Sequence, residues 1–150
     1  MVRLMRTDSS HLDFRSLVAL LDQDLAIRDG ADHGFYAQFN QITNIQYCVV
    51  VYFDDQPVGC GAIKAFGEDS MEIKRMFVLP NYRGKSLAQQ ILIELEKWTL
   101  ELGKTKTVLE TGQKQPEAIA LYYKSGYQRT PNYGQYIGIE NSLCFEKQLS

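Results

Sequence analysis

Three consecutive runs of β-branched and aromatic residues, at 46–53, 58–66 and 71–79, constrain this fold more than any other feature of the sequence. Only the turn-like segments "DDQP" and "GEDS" separate them. Strands joined by connections this short usually pair with their sequence neighbours in antiparallel fashion. The sequence therefore predicts a three-stranded meander, and with it a sheet, at the centre of the chain.

Helical and further strand patterns flank this meander. Apolar residues at helical spacing predict four helices, and shorter apolar runs predict additional strands. The helices are expected within 9–29, 32–42, 84–102 and 115–126, and the other strands within 2–6, 106–111, 126–130 and 141–149. No repeat or linker divides the chain, so we expect a single domain over 1–150. The predicted fold class is mixed α/β, a central sheet packed by helices.

Charge and cysteine content exclude several classes of function. The net charge is -2 and the basic residues are scattered, so we do not expect a nucleic-acid partner. Cys48, Cys60 and Cys144 lie far apart without a CxxC pair, which predicts buried thiols and neither a disulfide framework nor a metal site. The sequence has neither a secretory apolar region nor an 18-residue apolar stretch. We therefore expect a cytoplasmic protein without a membrane partner.

The segment "LPNYRGKSLAQQILIELEKW" (79–98) joins a polar loop directly to an amphipathic helix. The first turn of a helix has unsatisfied amides and the positive end of the helix dipole, but this loop offers no acidic residue. Arg83 and Lys85 are basic, and Gly84 lets the backbone approach a ligand closely. The loop therefore predicts a site for an external anion, most naturally a phosphate. The alternative is a solvated basic turn capped by Ser86.

Two segments together resemble a known family. Residues 72–92, "EIKRMFVLPNYRGKSLAQQIL", resemble the central motif of the GNAT superfamily of N-acetyltransferases, and 115–127, "QPEAIALYYKSGY", resemble its following helix motif. The resemblance extends over about 46–130 and looks nearest to small, uncharacterised bacterial members. It implies a mostly antiparallel sheet of six to seven strands with about four helices. Gly84 matches the family's loop pattern, [Gln/Arg]-x-x-Gly-x-[Gly/Ala], whereas Asn81 and Ser86 depart from it.

The same resemblance implies acetyl-CoA as the cosubstrate, with no metal. The strand that ends at Val78 would diverge from its neighbour at 106–111 and pair with the pantetheine arm, and the loop amides would hold the pyrophosphate. The implied residues are Met76, Phe77 and Val78 for the arm, and Arg83, Gly84, Lys85, Ser86, Leu87 and Ala88 for the pyrophosphate.

Acetyl transfer to an amine needs a base for the ammonium group and an acid for the leaving thiolate. Tyr122 occupies the position of the family's acid tyrosine, although an aromatic core residue is the alternative. Glu72 lies early in its strand, where several family members have a catalytic glutamate. The alternative for Glu72 is a structural ion pair with Lys74 or Arg75. Period-two alternation predicts Glu72, Lys74, Met76 and Val78 on one face of this strand, and Ile73, Arg75 and Phe77 on the other.

The acceptor is expected to be a primary amine of a small molecule or peptide, which attacks directly in a ternary complex. Glu110 is a second candidate for the base or for binding the acceptor. His33, Tyr36 and Tyr133 are candidates for the acceptor site. The rival interpretations are a non-catalytic acyl-CoA sensor on the same fold and a phosphate-binding domain of another fold. Since family members often dimerise through the C-terminal strands, a homodimer is a further expectation.

Overall fold

A single seven-stranded sheet organises the computed structural model, which describes residues 1–29 and 44–149. The strand order is β1-β2-β3-β4-β5-β7-β6. The strands are β1 (Val2–Thr7), β2 (Tyr47–Phe53), β3 (Gln56–Ala65), β4 (Ser70–Val78), β5 (Lys106–Gly112), β6 (Gln128–Thr130) and β7 (Ser142–Gln148). Neighbouring strands are antiparallel except for β4 and β5, which are parallel. The predicted mixed, mostly antiparallel sheet is confirmed.

The predicted meander is formed by β2, β3 and β4. Phe53 pairs with Gln56, so only two residues form the turn between β2 and β3. These residues, Asp54 and Asp55, have φ values of 49° and 68°. Tight hairpins require positive φ at both central positions, and Asp tolerates that conformation better than most residues. The turn chemistry therefore fixes the register of this hairpin.

Three α-helices lie in the described part of the chain, together with two short 3-10 turns. The helices are α1 (Leu12–Asp29), α2 (Leu87–Glu101) and α3 (Pro116–Lys124), and the 3-10 turns are Pro80–Tyr82 and Gly134–Tyr136. These confirm three of the four predicted helices. The predicted helix at 32–42 lies outside the described residues.

The two faces of the sheet contribute to separate cores. Alternate residues of β2 enter different cores, since Val49 and Val51 pack on the side of α2 whereas Cys48 and Val50 pack on the side of α1. Leu95 of α2 is fully buried in the first core.

All three cysteines are buried and free, and burial raises their thiol pKa values, to about 12 for Cys48 and about 11 for Cys144.

The alternation predicted along β4 is wrong in its second half. Ile73 and Val78 were expected on opposite faces, but both pack in the core beneath α2. Met76 packs against this core as well, whereas Phe77 belongs to the core beneath α1. Residues five apart on a regular strand would face opposite sides. The strand must therefore contain an irregularity between Ile73 and Val78.

A β-bulge at Arg75 is the cause of this reversal. Cys60 of β3 faces Phe77, whereas Ala62 faces Lys74, so one residue of β3 lies opposite two of β4. Arg75 has a φ of 60°, in the left-handed region. An extra residue of this kind bends a strand and changes the face on which the following side chains emerge.

Candidate functional site

The parallel strands β4 and β5 pair only where they begin. Residues 70–72 are in register with 106–108, and beyond them the described part of the chain contains no β5 partner for β4. In contrast, β5 continues to pair with β7 as far as Gly112. The two strands therefore diverge, and the backbone of 73–78 forms one wall of an opening within the sheet.

The bulge lies beside this opening and is held in three ways. The side chain of Arg75 is 3% exposed, and its Nη1 donates to Asp22 Oδ1 of α1 at 2.7 Å. The Arg75 carbonyl accepts from Cys60 Sγ at 3.4 Å. On β3, Gly61 leaves the space that the bulged strand needs, because a Cβ there would lie 2.6 Å from Met76 Sδ.

The loop between β4 and α2 presents uncapped backbone amides. Gly84 and Ser86 are left-handed, with φ values of 82° and 63°, and the Ser86 side chain makes no capping hydrogen bond. After Arg83, the first amide that donates to a carbonyl among the described residues is that of Gln90. Successive amides around left-handed residues form a concave site for an anion. The side-chain cap by Ser86, which the alternative of a solvated basic turn included, is absent from the described residues.

The two basic side chains of this loop flank the amides. Arg83 Nε donates to the carbonyl of Val78 at 2.9 Å, and its Cζ lies 5.8 Å from the ring centroid of Phe77. Lys85 Nζ lies 5.7 Å from the ring centroid of Phe53. Arg83 thus fastens the loop to the end of β4. The backbone around Val78 is the part of β4 that the family resemblance pairs with the pantetheine arm. The Val78 carbonyl already accepts a hydrogen bond from Arg83.

A cleft of about 380 Å³ extends from this loop between β4 and α3. A smaller cavity of about 90 Å³ adjoins its inner end. The cleft is lined from β4 and the loop by Met76, Phe77, Val78, Tyr82, Arg83, Gly84, Ser86, Leu87 and Ala88, and from α3 mainly by Glu117, Ala118, Leu121, Tyr122 and Lys124. Met76 and Tyr122 line both spaces.

Tyr122 lies where the cleft meets the small cavity. It is 6% exposed and contacts Tyr127 and Phe145, with ring centroids 5.8 and 6.1 Å away. Burial and, second, the negative charge of Glu110 raise the pKa of the Tyr122 phenol above its usual range. The group therefore keeps its proton at neutral pH and can donate it. The next residue, Tyr123, is 53% exposed.

Glu72 is held by a tyrosine of the C-terminal loop. Glu72 is 7% exposed as a whole residue, and its Oε2 accepts a hydrogen bond from Tyr133 Oη at 2.7 Å. Burial and the charge of Glu72 raise the Tyr133 pKa, so that the phenol remains a donor. Phe66 and Tyr136 contact the Tyr133 ring at centroid distances of 4.6 and 5.9 Å. Arg75, one of the expected ion-pair partners of Glu72, binds Asp22 instead.

Lys74 and Glu110 add two charges to the small cavity. Lys74 comes from β4 and Glu110 from β5, and both line the cavity with Glu72 and Tyr136. Burial lowers the pKa of the Lys74 ammonium group, whereas the nearby Glu72 and Glu110 partly oppose that effect. The cavity therefore brings a lysine, two carboxylates and the Tyr122 phenol together.

Comparison with known proteins identifies the family of this chain. The model of the acetyltransferase (GNAT) family matches residues 14–127, more than half of the sequence. The chain belongs to the GNAT acetyltransferase family. This GNAT chain is 40% identical over 93 residues to an IAA acetyltransferase of Azospirillum brasilense. The matched stretch is 61% of each chain, so the GNAT chain spans about three fifths of that relative's length.

Solved structures share the fold of this GNAT protein over its whole length. A candidate acyl-CoA N-acyltransferase of Klebsiella pneumoniae superposes with a TM-score of 0.84 and 26% identity, over 100% of this chain and 99% of the other. The PaiA N-acetyltransferase of Thermoplasma acidophilum, solved in complex with coenzyme A, gives a TM-score of 0.70 over 99% of both chains. Its identity is 16%, so this second likeness concerns the fold alone.

The GNAT structure brings most of the predicted site residues to the two adjoining spaces. All the residues predicted for CoA line the cleft except Lys85, which lies over Phe53. Glu72, Glu110 and Tyr122 line the small cavity, and Tyr133 reaches it through Glu72. His33 and Tyr36 lie outside the described residues.

Sequence reasoning did not select Lys74, which lines the small cavity, or the ion pair of Asp22 and Arg75 that holds the bulge beside it. Lys74 was considered only as an ion-pair partner, although a lysine in the middle of a buried strand was the available signal. The Asp22–Arg75 pair depends on a contact between α1 and β4 that no local pattern reveals. Within 1–29 and 44–149, no group of three metal-ligating side chains comes together, and no helix has both the length and the apolar character to cross a bilayer.

Proposed function

We propose that this GNAT protein is an acetyl-CoA-dependent N-acetyltransferase that transfers the acetyl group to a primary amine of a small molecule or peptide. One observation carries the proposal. The uncapped loop amides, the part of β4 beyond its pairing with β5 and the buried Tyr122 phenol lie along one continuous cleft. CoA has the same sequence of features, with a pyrophosphate, an amide-containing arm and a thioester.

The loop is suited to the pyrophosphate of CoA. Free amides at 84–89 and the positive end of the α2 dipole favour a negatively charged group. Among the described residues, no heavy atom would lie within 4 Å of a Cβ at Gly84, so none of them covers the backbone there. Lys124 of α3 adds a positive charge to the lining of the cleft, and Lys85 adds one on the loop, over the ring of Phe53. The loop therefore supports phosphate binding by amides, with side-chain charges in a secondary role.

The edge of β4 beyond its pairing with β5 is suited to the pantetheine arm. In the described chain, no residue of 73–78 is in register with β5, and the two amides of the arm can pair along this stretch as a neighbouring strand would. The cleft wall opposite is formed by small and apolar residues of α3, including Ala118 and Leu121. This arrangement would direct the thioester toward Tyr122 and the small cavity.

The groups present account for every bond and proton of a direct acetyl transfer. The neutral amine nitrogen of the acceptor attacks the thioester carbonyl carbon, a C–N bond forms, and the C–S bond breaks. The departing thiolate takes the phenolic proton of Tyr122, and the excess proton of the amine passes to Glu72, directly or through water. Tyr133 holds Glu72 in place by its 2.7 Å hydrogen bond. Glu110 remains the second candidate for the base.

Calorimetry followed by an amine screen tests this proposal. The purified full chain would be titrated separately with acetyl-CoA, CoA and ATP, and then screened for amine-dependent release of the free thiol. We expect micromolar binding of both CoA compounds, weaker binding of ATP, and thiol release with at least one amine class.

The other outcomes distinguish the rivals. Binding without release from any amine would support the acyl-CoA sensor, and preferential binding of ATP would support a nucleotide-binding domain. Absence of binding to all three compounds would refute the assignment of the loop. The expected homodimer stays a prediction, which light scattering on the purified chain would test.

A further inference from the structure

A lysine of the chain itself lines the small cavity toward which the proposed function directs the thioester. Lys74 lines the small cavity together with Glu72, Glu110 and Tyr122. We propose that Lys74 is an acetylation site of this protein, modified by acetyl-CoA bound in its own cleft, and that this modification limits acceptor turnover. The inference rests on the proposed function, because it uses the same donor site.

The position of Lys74 in β4 favours this reaction. It immediately precedes the bulge at Arg75, and Met76, two residues further, lines both the small cavity and the cleft. Tyr122 lines both spaces from the opposite wall. A nucleophile that is already part of the site needs no separate binding step, which gives it a large effective concentration. Strand β4 thus contributes a side-chain amine to the cavity that adjoins the predicted thioester position.

The burial of Lys74 favours a reactive amine, because burial lowers the pKa of its ammonium group. Glu72 from the same strand and Glu110 from β5 raise its pKa, whereas Arg75 and Lys64 lower it. Burial outweighs these contributions, so the Lys74 pKa lies below that of an ordinary lysine. Each unit of such a decrease raises the neutral, nucleophilic fraction about tenfold at neutral pH. Tyr122 and Tyr136, which also line the cavity, have raised pKa values and stay uncharged.

The proposed step uses only acetyl-CoA and groups of the chain. Neutral Lys74 Nζ attacks the thioester carbon, a C–N bond forms, and the C–S bond breaks. The proton lost by Nζ goes to Glu72 or Glu110, and the thiolate takes the proton of Tyr122. The products are acetyl-Lys74 and free CoA. No oxidant or further reactant is required.

Acetylation would change the small cavity in two ways. It would remove the positive charge that lies among Glu72, Glu110 and Arg75, and it would place an amide group in a space of about 90 Å³. An acceptor amine would then meet a partly filled cavity. We therefore expect amine turnover to decrease in proportion to the fraction of Lys74 that is modified.

Peptide mass mapping after incubation with acetyl-CoA tests this inference. The full chain would be incubated without amine, digested, and the acetylated fraction of each lysine followed over time. Lys97, an exposed residue of α2, reports spontaneous acetylation within the same sample. We expect acetylation at Lys74 to be at least ten times faster than at Lys97. The rate should rise with pH and then level off at a pH below that expected for an ordinary lysine.

Three variants and one competition experiment sharpen the test. Lys74→Arg should lose the modification and the accompanying decline in amine turnover, whereas the matched change Lys97→Arg should keep both. Gly84→Glu should slow acetylation at Lys74 but not at Lys97, because only Lys74 depends on bound acetyl-CoA. An acceptor amine found in the screen should protect Lys74.

Two results would overturn the inference in distinguishable ways. Amine acetylation with Lys74 no more modified than Lys97 would reject the inference and leave the proposed function intact. Absence of acetyl-CoA binding by calorimetry, with uniform slow acetylation of exposed lysines, would reject both.

Discussion

The substitution of Gly84 by Glu tests the phosphate-binding loop most directly, because Gly84→Ala provides a matched control. Gly84 has a φ of 82°, so either side chain adds the strain of a left-handed residue, about 1 kcal/mol. A Cβ there would have no heavy atom of residues 1–29 or 44–149 within 4 Å, so neither change causes a clash with this part of the chain. The two variants therefore differ chiefly by one carboxylate at the predicted pyrophosphate position.

The expected difference in CoA affinity follows from Coulomb's law. A carboxylate at about 6 Å from two phosphate charges raises the free energy of binding by roughly 1.4 kcal/mol at a dielectric constant of about 80, and by roughly 5.5 kcal/mol at about 20. The dissociation constant of CoA should therefore increase at least about tenfold in Gly84→Glu relative to Gly84→Ala. Calorimetry at low ionic strength is the appropriate assay, since salt screens exposed charges.

Two comparisons make this test specific. Acetyl-pantetheine, which has no pyrophosphate, should bind equally to both variants, and their thermal unfolding should coincide. Added salt should reduce the difference in CoA affinity. Equal affinity of the two variants for CoA at low salt would show that the loop does not hold the pyrophosphate, and the reasoning from its amides would fail.

Three further outcomes are expected. Tyr122→Phe should lower kcat about 10²-fold or more with little change in acetyl-CoA affinity. The control Tyr123→Phe, at the exposed neighbouring position, should have the kcat of the parent chain. Equal kcat in the two variants would remove Tyr122 from the mechanism. Because burial raises the Tyr122 pKa, the ratio of the parent kcat to the Tyr122→Phe kcat should stay constant up to about pH 10. A decline of that ratio between about pH 8 and 9 would show that the phenol loses its proton in that range, contrary to this prediction. Gly61→Ala should lower the free energy of unfolding, measured by chemical denaturation, by about 1–3 kcal/mol, because its Cβ would lie 2.6 Å from Met76 Sδ. The control Gly67→Ala should change this free energy by less than about 0.5 kcal/mol, because no described residue lies within 4 Å of a Cβ there. Similar stability of the two alanine variants would show that the close approach at Gly61 is easily relieved.

Local patterns were sufficient to predict most of the sheet. The meander could be predicted because its strands are adjacent in sequence and joined by turn residues such as Asp54 and Asp55, whose positive φ values the hairpin requires. Likewise, α2 could be predicted from its apolar face and from the loop that precedes it. These elements depend on interactions between residues close in sequence, which a single chain reveals without an alignment.

The bulge in β4 could not be predicted from that strand alone. Its residues alternate well enough to suggest a regular strand, and the left-handed conformation of Arg75 is stabilised by Asp22, which is 53 positions away. The available signal was Gly61 on the neighbouring strand, because an isolated glycine within a strand often marks a close backbone approach. The space at Gly61 in β3 can be linked to the bulge in β4 only when the register of the two strands is known.

The candidate site could be predicted only in part, because some of its features are local in sequence and others depend on long-range contacts. The loop amides and the position of Tyr122 follow from contiguous motifs, so the sequence was sufficient to select them. In contrast, the proximity of Lys74 to Glu110 depends on β5 lying next to β4, a parallel pairing across an intervening helix. Tyr133 acts on Glu72 from 61 positions away, and no periodicity predicts that contact.

The divergence of β4 and β5 gives this protein a sheet edge in the interior of its sheet. Exposed edges are hazardous because their free amides and carbonyls can recruit a strand from another molecule. Within the described chain, the segment 73–78 continues past its last register partner on β5, and the bulge at Arg75 interrupts the regular strand geometry midway. A foreign strand could match only a few residues on either side of the bulge, whereas a short, flexible ligand can adapt to it. The distortion that shapes the cleft thus also makes it a poor template for aggregation.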